Sequence, residues 1–403
     1  MQLPTDRKPG AAFAISLGAI TLIGPLSIHL FLPAMPDVKA DFGISSEVAQ
    51  LTFSVTLFAM AIVTPFYGSL SDRYGRRSIL LAGLVLFLIG SLFAALAQSV
   101  VVLIAARFVQ AMGAGCGMPL TRAIARDAYG PGVLVKAIAY LTMAYTVGPM
   151  LAPPLGGLLI DAFGWRSEFW FALSVGAAIT IGAYFVVHET RSRADIAAAP
   201  PGTFRHYGIL LRDPRFLAFV LQSGFTSFMF FAIASASPFL MKDVLGRSAT
   251  EYGLYFMLFP TGYFIGNVIS SRLSGRAPIE KMVLAGALIG VVVVAGQSGL
   301  ILAGYLSPLL IFIPGGLLSF AQGLSLPNAQ AGAMRVQPAL AGTAAGLGVF
   351  VQMLASAIST EVYGLIADGT PIPMIEIAIA GVVFALLPAI YVYLRPSVVA
   401  VTA

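Results

Sequence analysis

The chain has 403 residues, 58% of them hydrophobic and only 10% charged, with a net charge of +6 and a mean hydropathy of +0.91. A soluble globular domain carries about 25% charged residues, so this composition excludes one and points to a polytopic helical membrane protein. The basic residues are scattered rather than gathered in a patch, which argues against a nucleic-acid surface, and the single Cys116 excludes an intrachain disulfide.

Twelve apolar stretches of spanning length follow one another. They are Ala12–Phe31, Val48–Leu70, Ser78–Ala97, Val101–Leu120, Val135–Ile160, Glu168–Val187, Phe216–Phe239, Tyr252–Leu273, Met282–Ala303, Pro308–Gln330, Ala341–Ile366 and Ile375–Leu394. They are numbered here as spans one to twelve. Span one lacks a small-residue cleavage site and is expected to remain as a membrane anchor. An even number of spans places both termini on one side. Between spans two and three, Gly68-Ser-Leu-Ser-Asp-Arg-Tyr-Gly-Arg-Arg77 packs three arginines into a short loop, and Lys/Arg in short loops mark the cytoplasmic face. With that loop inside, 18 of the 23 Lys/Arg fall on inner segments, four on outer ones, and Arg107 lies within span four. Both termini are therefore expected in the cytoplasm.

His188–Arg215 is the longest polar stretch and divides the chain after span six. The expected organisation is a six-helix half over 1–187, a cytoplasmic linker over 188–215 and a second six-helix half over 216–403. Ser270–Arg276, after span eight, weakly echoes Ser71–Arg76 but has Ser271 where the first copy has Asp72. Repeated halves around a midplane site are characteristic of secondary transporters.

Several motifs carry a resemblance. Gly68–Arg77 is similar to the loop signature of the major facilitator superfamily. Leu103–Gly115 resembles the fourth-span arginine motif of its drug–proton antiporters. Gly148-Pro-Met-Leu-Ala-Pro-Pro-Leu-Gly-Gly157 resembles their fifth-span glycine–proline motif, with Gly148, Pro149, Pro153, Gly156 and Gly157 as its key positions. Leu32–Pro36, Arg126-Asp127 and Phe163–Arg166 look like the bicyclomycin/chloramphenicol-resistance branch. The resemblance implies an all-α membrane fold of two pseudo-symmetric six-helix halves. It implies a monomeric transporter that needs no cofactor, draws on the proton gradient and moves small amphipathic drugs. It also implies that span five seals against span eight, and that Asp72 meets the positive end of span eleven.

The residues themselves leave several roles open. Gly68 lacks a side chain, which permits close packing of span two. Asp72, Arg73 and Arg77 form either a solvated topology signal or an inner gate, with Arg73 expected to pair with Asp127. Arg107 must face the protein interior, as a coupling residue or as a buried strut, with Gln110 one turn further on. His29 stands where the family branch commonly has Asp. By these boundaries the only carboxylate in spans one to six is Glu168, at an edge, so His29 is a proton carrier, a substrate binder or a strut. Glu361, in span eleven, is an alternative proton site or a residue that snorkels to the headgroups. Asp37 and Asp41 read as solvated loop residues. Gln110, Tyr145, Gln222, Phe225, Tyr263, Asn267 and Gln352 are expected to line a substrate cavity suited to weakly polar molecules. A second reading is an exporter or importer of a polar metabolite such as a sugar or amino-acid derivative. No phosphate-binding loop and no metal-ligand cluster is evident.

Overall fold

The structure, a computed structural model, describes residues 10–191 and 205–395. Among the described residues every regular element is helical. Eleven helices are long and apolar enough to cross a membrane. The remaining stretch, span eight, is present as two shorter helices, Ala249–Phe256 and Leu258–Leu273.

Prolines account for where spans break. A proline lacks an N–H, and its ring clashes with the carbonyl four residues back. Pro260 acts on Phe256, where the first piece of span eight ends. In span one, Pro25 acts on Thr21 and Pro33 on His29, and helices end at both residues. Span one therefore runs as Ala11–Thr21, Ile23–His29, a 3-10 turn at Leu32–Ala34, and Met35–Phe42. In span four, Pro119 acts on Gly115, and the helix divides into Val100–Ala114 and Gly117–Ala128. Other prolines are absorbed. Span five is one helix, Pro131–Phe163, despite Pro149, Pro153 and Pro154 inside it.

Spans one to six form one compact unit together with Ser248–Leu254, the start of span eight; the rest of the chain forms a second. In the first unit, spans three and four approach so closely that a Cβ on Gly90 would sit 2.2 Å from the Gln110 nitrogen. Its apolar core runs through Leu17, Leu84, Phe87, Leu120 and Ile124. In the second unit, spans eight and ten lock through Gly266 and Gly323, whose Cβ atoms would each lie 2.2 Å from a backbone oxygen of the other helix. Small residues replace the missing hydrophobic force between helices by letting backbones come close.

The expected linker divides unevenly. Glu189 and Arg191 bind residues of the first unit. Arg205–Leu211 is a short helix whose Leu210 belongs to the core of the second unit. Residues 192–204, with Arg193, lie outside the described residues, as do Arg7 and Lys8.

Candidate functional site

At one end of the first unit the charged loop is organised around Arg76. Span two ends at Tyr74 and span three begins at Arg76, joined by Gly75 at φ +93. That left-handed φ disfavours any side chain, and a Cβ there would also press within 2.5 Å of the Glu189 carboxylate. Glu189 accepts from the backbone N–H groups of Arg76 (2.9 Å) and Arg77 (3.1 Å), so it caps span three from beyond the end of span six. The buried Arg76 guanidinium binds Asp127 at 2.9 Å, Asp72 at 2.7 Å and the Ser71 hydroxyl at 2.6 Å. Arg191 also pairs with Asp72. Arg77 donates to the Tyr184 carbonyl at 2.7 Å.

Two expectations change here. Arg76, not Arg73, pairs with Asp127. Arg73, in the last turn of span two, is exposed and lies over the Tyr74 ring, whereas Arg76, the first residue of span three, is buried. A Cβ on Gly68 would meet no atom within 4 Å among the described residues, so close packing does not explain that glycine.

The opposite end is also ionic. Asp41 accepts from Arg166 (2.9 Å) and from the Trp165 indole (3.1 Å), and Arg166 reaches the Ala97 carbonyl at 3.0 Å. Asp37 and Asp41 lie on the helical continuation of span one rather than in a loop; Asp41 is exposed, as expected of a solvated residue, and Asp37 is half-buried. Asp161, which closes span five, accepts from the Ala249 (3.2 Å) and Thr250 (2.8 Å) amides at the start of span eight. A Cβ on Gly157 would lie 2.2 Å from the Ala249 oxygen. The other motif glycines meet span one instead: Gly148 lies against Pro25 and Gly156 against the Leu30 carbonyl.

Between the two ends lies a buried polar network centred on Arg107, which is 1% exposed. Its Nε donates to the Thr52 carbonyl (3.3 Å). Its Nη1 donates to the Ser27 carbonyl (3.0 Å) and to Gln110 Oε1 (2.7 Å). Gln110 in turn donates to the Ser91 hydroxyl at 2.9 Å. The guanidinium carbon lies 4.3 Å from the centre of the Phe31 ring and 5.7 Å from that of Phe169. Spans one, two, three, four and six thus converge on one cation solvated by neutral carbonyls and aromatic faces. His29 is buried, and its Nδ1 donates to Pro25 O of its own helix at 3.1 Å. Arg107 grips the backbone two residues before His29 and the ring two residues after it.

Glu168 was underrated from the sequence. It occupies the first turn of span six, Arg166–Val186, yet is only 1% exposed. Neither carboxylate oxygen has a hydrogen-bond partner among the described residues. The available signal was its isolation, since no other acid lies inside spans one to six.

Among the described residues, the fully buried polar side chains of the second unit are amides and hydroxyls. Gln222 donates to Thr226 (3.0 Å), Gln322 to Ser227 (3.4 Å) and Asn328 to Ser270 (2.7 Å). Gln222 Oε1 and Gln352 Nε2 are buried with no hydrogen-bond partner among the described residues. Glu361 is half-buried, five residues before the end of its helix at Ile366. Phe225 packs against Phe384, itself half-exposed, with tilted rings 5.2 Å apart. Tyr263 and Asn267 hydrogen-bond one turn apart, and Tyr145 lies near Gly24.

The family model described as Major Facilitator Superfamily matches residues 17–360. The MFS-type transporter YdgK of Bacillus subtilis (strain 168) is 30% identical over 373 residues, which cover 91% of this chain and 92% of that protein. The multidrug resistance protein MdtL of Escherichia coli (strain K12 / DH10B) is 32% identical over 246 residues, 61% of this chain and 62% of its own. Among solved structures, a bacterial homolog of the human lysosomal transporter Spinster, inward-facing and occupied, has a TM-score of 0.74 at 17% identity, covering 96% of this chain and 97% of its own. A D-xylose–proton symporter has a TM-score of 0.75 at 16% identity, covering 95% and 96%. At such identities these structures speak for the fold alone.

Proposed function

Because the chain belongs to the Major Facilitator Superfamily, we propose that this transporter is a proton-coupled exporter of small amphipathic compounds, of the bicyclomycin/chloramphenicol-resistance-like branch. The observation that carries this reading is the buried Arg107. A charge inside a span costs a few kcal/mol, and such residues mark ion and proton pathways. Similarity to a multidrug resistance protein over 61% of the chain supports the drug class. In this reading two six-helix halves alternate access to a central site. Arg107 and His29 of the first unit, with Glu361 of the second, take part in proton coupling. The Asp72–Arg76–Asp127 cluster serves as the inner gate, alongside Gly68, Arg73 and Arg77. The protein works as a monomer in a bacterial inner membrane with both termini in the cytoplasm, and the proton gradient is its energy source.

The test is ethidium accumulation in everted vesicles under an imposed pH gradient, together with drug susceptibility of an efflux-deficient host. Gradient-dependent accumulation that Arg107→Ala abolishes is the expected result. Ethidium movement that is indifferent to the gradient, with unchanged susceptibility, overturns the antiport reading.

One observation favours the second reading, transport of a neutral polar metabolite. The buried amides Gln222 and Gln352 each keep an unused hydrogen-bonding atom. Sites built to hydrogen-bond a substrate reject molecules that leave such atoms unpaired.

A further inference from the structure

Glu168 and Arg107 are the two strongly charged side chain types most deeply buried in the first unit, each 1% exposed. Arg107 spends Nε and Nη1 on neutral oxygens, while its Nη2 has no hydrogen-bond partner among the described residues. Glu168 has two such oxygens. The two side chains act electrostatically on each other, and Phe169, next to Glu168 in the chain, presents its ring to the Arg107 guanidinium. A buried carboxylate without a donor is costly when ionised, by several kcal/mol. Arginine does not give up its proton in proteins. The member of the pair able to change charge is therefore Glu168.

We infer that Glu168 is a proton-binding site of the first unit, exchanging between a neutral acid turned away from Arg107 and a carboxylate paired with its free Nη2 edge. The step is a single proton taken up on, or released from, a carboxylate oxygen, and no other bond changes. Apart from Asp37, the surrounding charges are otherwise engaged. Asp37, from the outer continuation of span one, also acts on Glu168. Asp41 and Arg166 hold each other, Asp161 caps span eight, and His29 bonds to Pro25. Arg76 and Arg77 of span three are bound in the cluster at the far end. Pairing and unpairing would also alter how firmly Arg107 holds the carbonyls of spans one and two, which links protonation to helix position.

The role of this site in transport rests on the antiport reading; its protonation does not, and the test separates the two. Infrared titration of the purified full-length protein in nanodiscs is expected to show a carboxylic-acid C=O band that responds to pH, is lost in Glu168→Gln and survives in Glu361→Gln. Arg107→Lys should move its midpoint, which a purely structural acid far from Arg107 would not show. A band unchanged in Glu168→Gln overturns the assignment. In proteoliposomes, Glu168→Gln should keep ethidium exchange but lose at least about tenfold of the accumulation driven by a pH gradient, with Glu168→Asp intermediate. Accumulation by Glu168→Gln with the wild-type pH profile also overturns it. If the wild-type protein shows no gradient-driven accumulation, the antiport reading fails, and the infrared result still decides whether Glu168 binds the proton. Thermal unfolding profiles of Glu168→Gln and Glu168→Asp that match the wild type exclude misfolding.

Discussion

Arg107 illustrates how much one side chain can organise. Its planar fork bonds two backbone carbonyls and one amide from three spans. Lysine has the charge but not the fork. Arg107→Lys is expected to lower the thermal unfolding temperature of the detergent-purified protein, and Arg107→Ala to lower it further. Each orphaned buried acceptor costs about 1–3 kcal/mol. An unchanged unfolding temperature in both would mean that the network contributes nothing to stability. The loop glycines offer a sharper contrast. Gly75→Ala should destabilise, since a left-handed backbone costs a side chain about 1–2 kcal/mol and the Glu189 carboxylate occupies the space. Gly68→Ala should be neutral or gain roughly 0.5–1 kcal/mol, because it sits within a helix with open space at its Cβ. Thermal unfolding of the two variants side by side tests the pair, and equal shifts would contradict it.

At the level of the element, prolines set the architecture more than propensity does. Span eight is two helices because Pro260 removes the bond to Phe256. Pro260→Ala restores the donor, and hydrogen-exchange mass spectrometry should then show stronger protection across residues 256–261. Protection that stays at the wild-type level would place the cause of the break elsewhere. Span five shows the limit of this logic, since three prolines leave it a single helix. Its packing on Pro25, Leu30 and Ala249 supplies contacts that a free helix would lack.

Across the whole molecule the chemistry is unequal. The first unit carries buried charge and two ionic ends; the described interior of the second is built of amides and hydroxyls. The charged loop is expected to govern rate rather than assembly. Asp72→Asn should reach the membrane at normal abundance but transport more slowly. Arg76→Ala should be worse than Arg73→Ala, because Arg76 holds two carboxylates while Arg73 is exposed. Transport assays normalised to surface abundance check both, and equal activity of the two arginine variants would remove Arg76 from the centre of the cluster.

Hydropathy alone determined the class and the number of spans, because lipid admits only segments that satisfy their own backbone, and the length of an apolar run reports this directly. The motifs of spans two to five, read in order, pointed to the superfamily. Which arginine meets Asp127, that Glu189 caps span three, and that Glu168 is buried were decided only in three dimensions. Arg73, Arg76 and Arg77 are alike in sequence; a helix end at Tyr74 and a positive φ at Gly75 turn one inward and leave another exposed. Glu168 stands at the edge of its apolar run, where a charge normally reaches water. Arg107 of span four and Asp37, on the helical continuation of span one, act on it instead, and contacts between distant segments of this kind leave no trace in local composition.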